Sequence, residues 1–250
     1  MQNQSTHARL SCLRGLILDL DGVLADTEDI HRQAYNLAFR EAGISLEWSY
    51  DDYRSRLIQS AGSKLQGVTV PDGIKDRTAF LDHLYDRKRR HYLELIRSPE
   101  LKPRPGIVRL VDEALECGVA LASASTCARE GAMAILHHCL GAERVRRFIT
   151  IRAGDDAPRR KPAPDIYLLA LEDLALPPEN CIAIEDSLHG LEAAHAAGLW
   201  TLVTPSQYTV GDDFSPADQI AADLDQGNIS IVSLDRDLLR TRIRNDTGLK

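Results

Sequence analysis

Five short runs of this chain, residues 13–18, 119–122, 148–151, 182–184 and 201–204, are almost wholly apolar and do not alternate with polar residues. A strand with one face in water alternates. An unbroken apolar strand is covered on both faces, as in a parallel sheet. Helical stretches lie between the runs and carry clear boundaries. Pro105 is placed to begin a helix that stops at Gly118. Pro164 and Asp165 open another through Leu176, and Ser187 can cap a third that runs to Gly198. The alternation predicts an α/β fold with a doubly wound, Rossmann-like parallel-sheet core.

One stretch breaks the pattern. Residues 29–101 hold no buried strand, and helices are expected over 30–42 and 79–96. The division that follows is a core over 13–27 and 102–235, with a small helical cap domain inserted at 28–101. A frayed leader over 1–12 and a tail over 236–250 complete it. The basic run Arg87-Lys88-Arg89-Arg90-His91 reads as a solvated helix face.

Bulk properties exclude several classes. The chain has 250 residues, 44% of them hydrophobic, enough for a substantial core and a small second domain. A net charge of -7 argues against a broad nucleic-acid surface, but not against a small anionic substrate. Five cysteines without a CxxC pair read as reduced, cytosolic thiols. No apolar run approaches the roughly 20 residues that span a bilayer. The expectation is a cytoplasmic monomer with no membrane or nucleic-acid partner; a plastid location fits if the chain is a processed form.

Ligands of open α/β sheets sit beyond the carboxyl ends of the strands. The first run ends on Asp19-Leu20-Asp21-Gly22, the second on Ser123-Ala124-Ser125-Thr126, and the fourth on Glu185-Asp186. After the third comes Lys161, followed by Pro162-Ala163-Pro164. Two carboxylates at i, i+2 repel unless a cation lies between them, and Mg²⁺ favours one or two carboxylates plus phosphate oxygens. A serine at a strand end is ordinarily a turn residue, a lysine before a proline is ordinarily solvated, and acids ahead of a helix favour its dipole. Their conjunction is what phosphoryl transfer requires: a metal, a neutralising lysine, a hydroxyl donor, a nucleophilic aspartate and a second carboxyl for proton transfer.

This ordered set resembles the haloacid dehalogenase-like hydrolase superfamily, over about residues 13–224. Lys161-Pro162-Ala163-Pro164-Asp165-Ile166-Tyr167 and Ile184-Glu185-Asp186-Ser187 with Gly190 are similar to its beta-phosphoglucomutase-like branch. The resemblance implies that Asp19 is the nucleophile and a Mg²⁺ ligand. Asp21 would be the general acid/base and bind Mg²⁺ through its carbonyl. Ser125, with the Thr126 amide, would hold the transferring phosphate, Lys161 would neutralise it, and Glu185 and Asp186 would complete the metal site. Strand length counted from Gly118 favours Ser125, and the Ser-Ala-Ser repeat permits a slip of two to Ser123.

The inserted segment, Ala153-Gly154-Asp155-Asp156 and Ser206-Gln207-Tyr208-Thr209 are similar to CbbY-type sugar-bisphosphate phosphatases, which remove xylulose-1,5-bisphosphate in organisms that use Rubisco. That likeness implies a phosphorylated sugar as substrate, with Glu28 and His31 on the sugar and Tyr53 and Lys64 on the distal phosphate. One departure stands out. The family loop is similar to Gly-Gly-Lys-x-Arg, whereas this chain reads Gly62-Ser63-Lys64-Leu65-Gln66. Arginine is the stronger bidentate phosphate clamp, and Arg54 and Arg56 are the nearby candidates to replace it. The alternatives are a phosphosugar mutase, whose Val-Ser-Arg cap context is missing here, a phosphatase on another small metabolite, and a binding protein that has lost catalysis. The complete set of catalytic residue types argues against the last.

Overall fold

The computed structural model describes residues 10–59 and 64–247. Six strands form one parallel sheet: β1 (Gly15–Leu18), β2 (Ala120–Ala124), β3 (Phe148–Arg152), β4 (Cys181–Glu185), β5 (Trp200–Val203) and β6 (Gln219–Ile220). The order is β3-β2-β1-β4-β5-β6, so the chain runs outward from β1 on one side and then returns to add β4 on the other. The ends of β1 and β4 therefore flank the point where the order reverses, the crevice in which doubly wound sheets bind ligands.

The five apolar runs are strands β1 to β5; the two-residue β6 is too short to show a pattern. Both faces of the sheet are covered. Leu16 and Leu18 enter one apolar cluster with helices α4 (Ile107–Glu116) and α5 (Arg129–Val145). Ile17 enters another with α6 (Asp165–Leu174) and α7 (Leu188–Ala196). The period-2 alternation of side chains makes this two-sided burial follow from an all-apolar strand.

Ser187 caps α7 as expected, its side chain accepting from the Gly190 amide. The Pro105 start is displaced: Gly106 takes a left-handed φ of 82° and α4 begins at Ile107. A residue at that φ lies outside helical geometry, so the proline falls ahead of the cap.

Between β1 and α4 lie α1 (Glu28–Glu41), α2 (Tyr50–Gln59) and α3 (Arg77–Leu95). They share a separate cluster around Tyr35, Phe39, Trp48, Tyr53 and Leu84, joined by one residue from the sheet side, Tyr208. Asn36 fixes the connection after α1, exchanging hydrogen bonds with the Trp48 amide and carbonyl at 2.8 and 2.9 Å. Of the leader expected over 1–12, residues 1–9 lie outside the described residues. Residues 11–13 are tied to the sheet side: the Ser11, Cys12 and Leu13 amides each donate to the Asp235 carboxylate at 2.8 Å. Asp235 belongs to α8 (Ile231–Thr247), so most of the tail is helical. The described cysteines are all free thiols. Among the described residues no helix is long and apolar enough to cross a membrane.

Candidate active site

The Asp19 amide donates to the Ile184 carbonyl at 3.0 Å, extending the β1–β4 pairing by one residue. Its carboxylate thus emerges beside the end of β4, where Glu185 and Asp186 lie. Lys161 reaches in from the loop between β3 and α6. Its ammonium donates to Asp19 Oδ1 at 2.6 Å and to Glu185 Oε1 at 2.5 Å. The Tyr167 hydroxyl donates to the same Glu185 oxygen. Two glycines make room for the carboxylates. A Cβ on Gly22, whose φ is +78°, would stand 2.0 Å from Asp186 Oδ2, and one on Gly190 would stand 1.9 Å from Glu185 Oε2.

All four charged groups are buried, three negative and one positive. Burial pushes Asp19 up to about 8, against the attraction of Lys161 and with the repulsion of Glu185. Burial and the charges of Asp19 and Glu185 also push Asp186 well up. Burial would lower Lys161, but Asp19 and Glu185 outweigh it and hold the ammonium above its ordinary range. Such a set must take up either protons or a cation. Ligand atoms from Asp19, Glu185 and Asp186 lie within 4.8 Å of one another, which suits a hard divalent ion with bonds of about 2.1 Å. The Asp21 carboxylate is not in that cluster.

Asp21 is held elsewhere. Its Oδ1 accepts from Thr27 Oγ1 at 2.5 Å and from the Tyr92 hydroxyl at 3.1 Å, and lies 3.3 Å from His31 Nε2. The His31 ring stacks on Tyr92 with centroids 4.0 Å apart. Lys88 Nζ is 2.6 Å from His31 Nδ1. A charged lysine only donates, so Nδ1 accepts and the ring proton sits on Nε2, facing Asp21. Burial would raise Asp21, but His31, the Thr27 hydroxyl and the Lys88 charge outweigh it and hold the carboxyl below the usual range. Burial brings Lys88 down to about 8.

Lys88 corrects the reading of the basic run as a solvated face. It is buried with Leu84 and Tyr92, four residues to either side, on the inward stripe of α3. That spacing is the signal that marks it, because residues at i and i+4 share a helix face.

The two groups meet in one cavity of about 580 Å³. Its wall includes Asp19, Asp21, Thr126, Lys161 and Asp186 from the sheet side, and Glu28, His31, Tyr53, Lys64 and Lys88 from the helical segment. Of the expected site residues, Ser125 and Glu185 lie off the wall. The Ser125 hydroxyl is engaged by Cys127, accepting from its amide at 3.2 Å and donating to its sulfur at 3.1 Å. Ser123 is paired with Leu18 inside the sheet, and its buried hydroxyl has no partner among the described residues.

On the helical side, the Tyr53 hydroxyl donates to Glu28 at 2.9 Å, and the Lys64 ammonium lies 5.9 Å from the Tyr53 ring centroid. Gly62 and Ser63 fall outside the described residues. Neither arginine named as a replacement clamp reaches the wall. Arg54 donates to the Tyr208 carbonyl and pairs with Asp212, each at 2.9 Å. Arg56 donates to the Lys64 and Gln66 carbonyls at 3.2 Å and stacks over Trp48. Arg89 and Arg160 do line the cavity, and sequence reading missed both.

The chain is similar to known proteins over most of its length. A family model described as haloacid dehalogenase-like hydrolase matches residues 13–198. The chain is 41% identical over 213 residues to Protein CbbY of Rhodobacter capsulatus, covering 85% of this chain and 94% of that one. It is also 41% identical to a plasmid-borne CbbY of Cupriavidus necator, with 82% and 83% covered. A crystal structure of a CbbY mutant from Rhodobacter sphaeroides in complex with xylulose-1,5-bisphosphate superposes with a TM-score of 0.79 at 33% identity, covering 88% of this chain and all of that one.

Proposed function

The chain belongs to the haloacid dehalogenase-like hydrolase family, and from that premise we infer a Mg²⁺-dependent phosphatase acting on a sugar bisphosphate such as xylulose-1,5-bisphosphate. That it hydrolyses phosphate esters follows from the family and its phosphatase relatives. The observation that carries the finer reading is the lining of one cavity. It holds Asp19, Lys161 and the acidic cluster, and also Lys64 and Arg160, neither of which has a carboxylate partner among the described residues. Two phosphates on one small sugar would engage both sets of groups. The likeness to a CbbY that binds such a ligand supports the same choice.

In this reading a carboxylate oxygen of Asp19 attacks phosphorus and the ester P–O bond breaks. Asp21 gives its proton to the leaving oxygen. Asp21 then takes a proton from water as that water attacks the aspartyl-phosphate, which releases inorganic phosphate and restores Asp19. Bound phosphate adds negative charge beside Asp21 and raises its proton affinity for the first step. Asp19, Glu185 and Asp186, with the Asp21 carbonyl, would hold Mg²⁺, which neutralises charge on the transferring oxygens. Lys161 would neutralise the same charge. The helical segment, residues 28–101, acts as a cap over the core formed by 13–27 and 102–235.

A second reading of one role has a specific observation behind it. Ser125 is engaged by Cys127 while the Ser123 hydroxyl is buried without a partner among the described residues, which makes Ser123 the alternative phosphate hydroxyl, although neither serine lines the cavity. A mutase would use the same core chemistry and differ in returning the phosphate to the sugar. Incubating the protein with xylulose-1,5-bisphosphate separates these outcomes. Stoichiometric inorganic phosphate that depends on Mg²⁺ and stops with EDTA supports the phosphatase; full hydrolysis in EDTA refutes the metal assignment. An isomeric phosphosugar without phosphate release means a mutase.

A further inference from the structure

A four-residue turn of the core, residues 206–209, holds Asp186 through its last residue and the helical segment through its middle. Thr209 Oγ1 donates to the Asp186 carbonyl at 2.6 Å and accepts from the Ser206 amide at 2.9 Å. The Ser206 hydroxyl lies 3.1 Å from Thr209 Oγ1. Between them, the Gln207 carbonyl accepts from the Tyr50 hydroxyl at 2.6 Å, and the Tyr208 hydroxyl donates to Asp29 at 2.9 Å. The buried Tyr208 ring stacks on Tyr50 at 4.3 Å and meets Tyr53 edge-on at 5.8 Å. It packs in the apolar cluster of α1 and α2, not in the clusters around the sheet.

We propose that Tyr208 and Thr209 are positioning residues that tie the seating of the helical segment to the aim of Asp186. The two are adjacent, with α-carbons about 3.8 Å apart, so a shift of Tyr208 with the helices reaches Thr209 through one rigid peptide unit. Thr209 then moves the backbone that carries Asp186. Closing the helical segment over substrate and completing the acidic cluster become one event, and an open enzyme holds its metal loosely. This rests on the metal-dependent reading of the site and adds to it how the two halves communicate.

The test is Mn²⁺ binding to the substrate-free full chain, followed by paramagnetic resonance, with thermal unfolding to check that each variant folds. Thr209→Val keeps the shape and removes the hydroxyl; it weakens Mn²⁺ binding by about fivefold, the loss of one net hydrogen bond. Thr209→Ser restores it. Tyr208→Phe keeps the ring packing and touches no carboxylate of the cluster, yet weakens Mn²⁺ binding in the same direction. Wild-type affinity in Tyr208→Phe, or in Thr209→Val, overturns this inference alone. A wild-type chain that binds no Mn²⁺ overturns the metal-dependent phosphatase reading and this inference with it.

Discussion

The Lys88 ammonium lies 2.6 Å from His31 Nδ1, and the other nitrogen of that ring lies 3.3 Å from Asp21. Lys88 comes from α3 and Asp21 follows β1, so a residue of the helical segment sets the tautomer of the histidine that faces the proposed acid/base. Lys88→Met is expected to lower kcat by about 10²-fold, the lower end of the range for loss of acid–base support. With Lys88 brought down to about 8, its charge is present below that pH and lost above it. Activity should therefore fall as pH rises through about 8, and Lys88→Arg should move that limb upward. A kcat–pH profile of the two proteins checks both.

Asp21→Asn keeps the hydrogen-bond acceptor and removes the titratable oxygen. The variant should fold with an unchanged melting temperature and lose turnover by about 10²–10⁴-fold. Wild-type kcat would refute the acid/base role.

The phosphate-binding hydroxyl separates by parallel substitution. Ser123→Ala removes a buried hydroxyl that has no partner among the described residues, so it should leave stability nearly unchanged and, if Ser123 holds the phosphate, reduce kcat/KM. Ser125→Ala removes the acceptor for the Cys127 amide and should register first in stability. The reverse pattern returns the role to Ser125.

Asp235 accepts three amide hydrogen bonds from residues 11–13. Burial would raise its pKa, but those bonds outweigh it and hold the carboxyl below its ordinary value. A group with a lower folded pKa contributes its full stability above the unfolded value of about 3.9, and loses it as pH falls through the folded one. Asp235→Ala should cost about 3 kcal/mol near neutrality, and the difference from wild type should shrink in acid. Urea unfolding at several pH values measures it.

Much of the fold was legible because parallel strands buried on both faces leave an unmistakable apolar signature, and their ends carry the chemistry. Asp19, Lys161 and Asp186 converge on the cavity as expected, with Glu185 directly behind them. What stayed hidden has identifiable causes. Lys88 was masked by the charged neighbours Arg87, Arg89 and Arg90; only its spacing from Leu84 and Tyr92 reveals an inward side chain. Ser123 and Ser125 differ by two residues, the strand period, so side-chain facing cannot separate them. The Tyr208–Asp29 bond joins residues 179 apart, a distance no local pattern spans. Arg54 and Arg56, near the missing loop arginine in sequence, bond instead to Asp212 and to backbone carbonyls, and Arg160, beside the motif lysine, reaches the wall.

Lys64 and Arg160 line the cavity and, in the proposed reading, meet the second phosphate. Lys64→Ala should raise KM for a bisphosphate about tenfold and leave a monophosphate nearly unchanged, the scale of one charge-assisted hydrogen bond. Equal effects on the two would mean that Lys64 does not read the distal phosphate.

The most direct measurement is the ratio of kcat/KM for xylulose-1,5-bisphosphate to that for a xylulose monophosphate carrying only the scissile phosphate, in Mg²⁺. Recognition of a distal phosphate by both Lys64 and Arg160 predicts a ratio of about 100 or more, since each charge-assisted contact contributes about tenfold. A ratio near one, with slow turnover of both, would contradict bisphosphate recognition and leave a phosphatase that reads one phosphate alone.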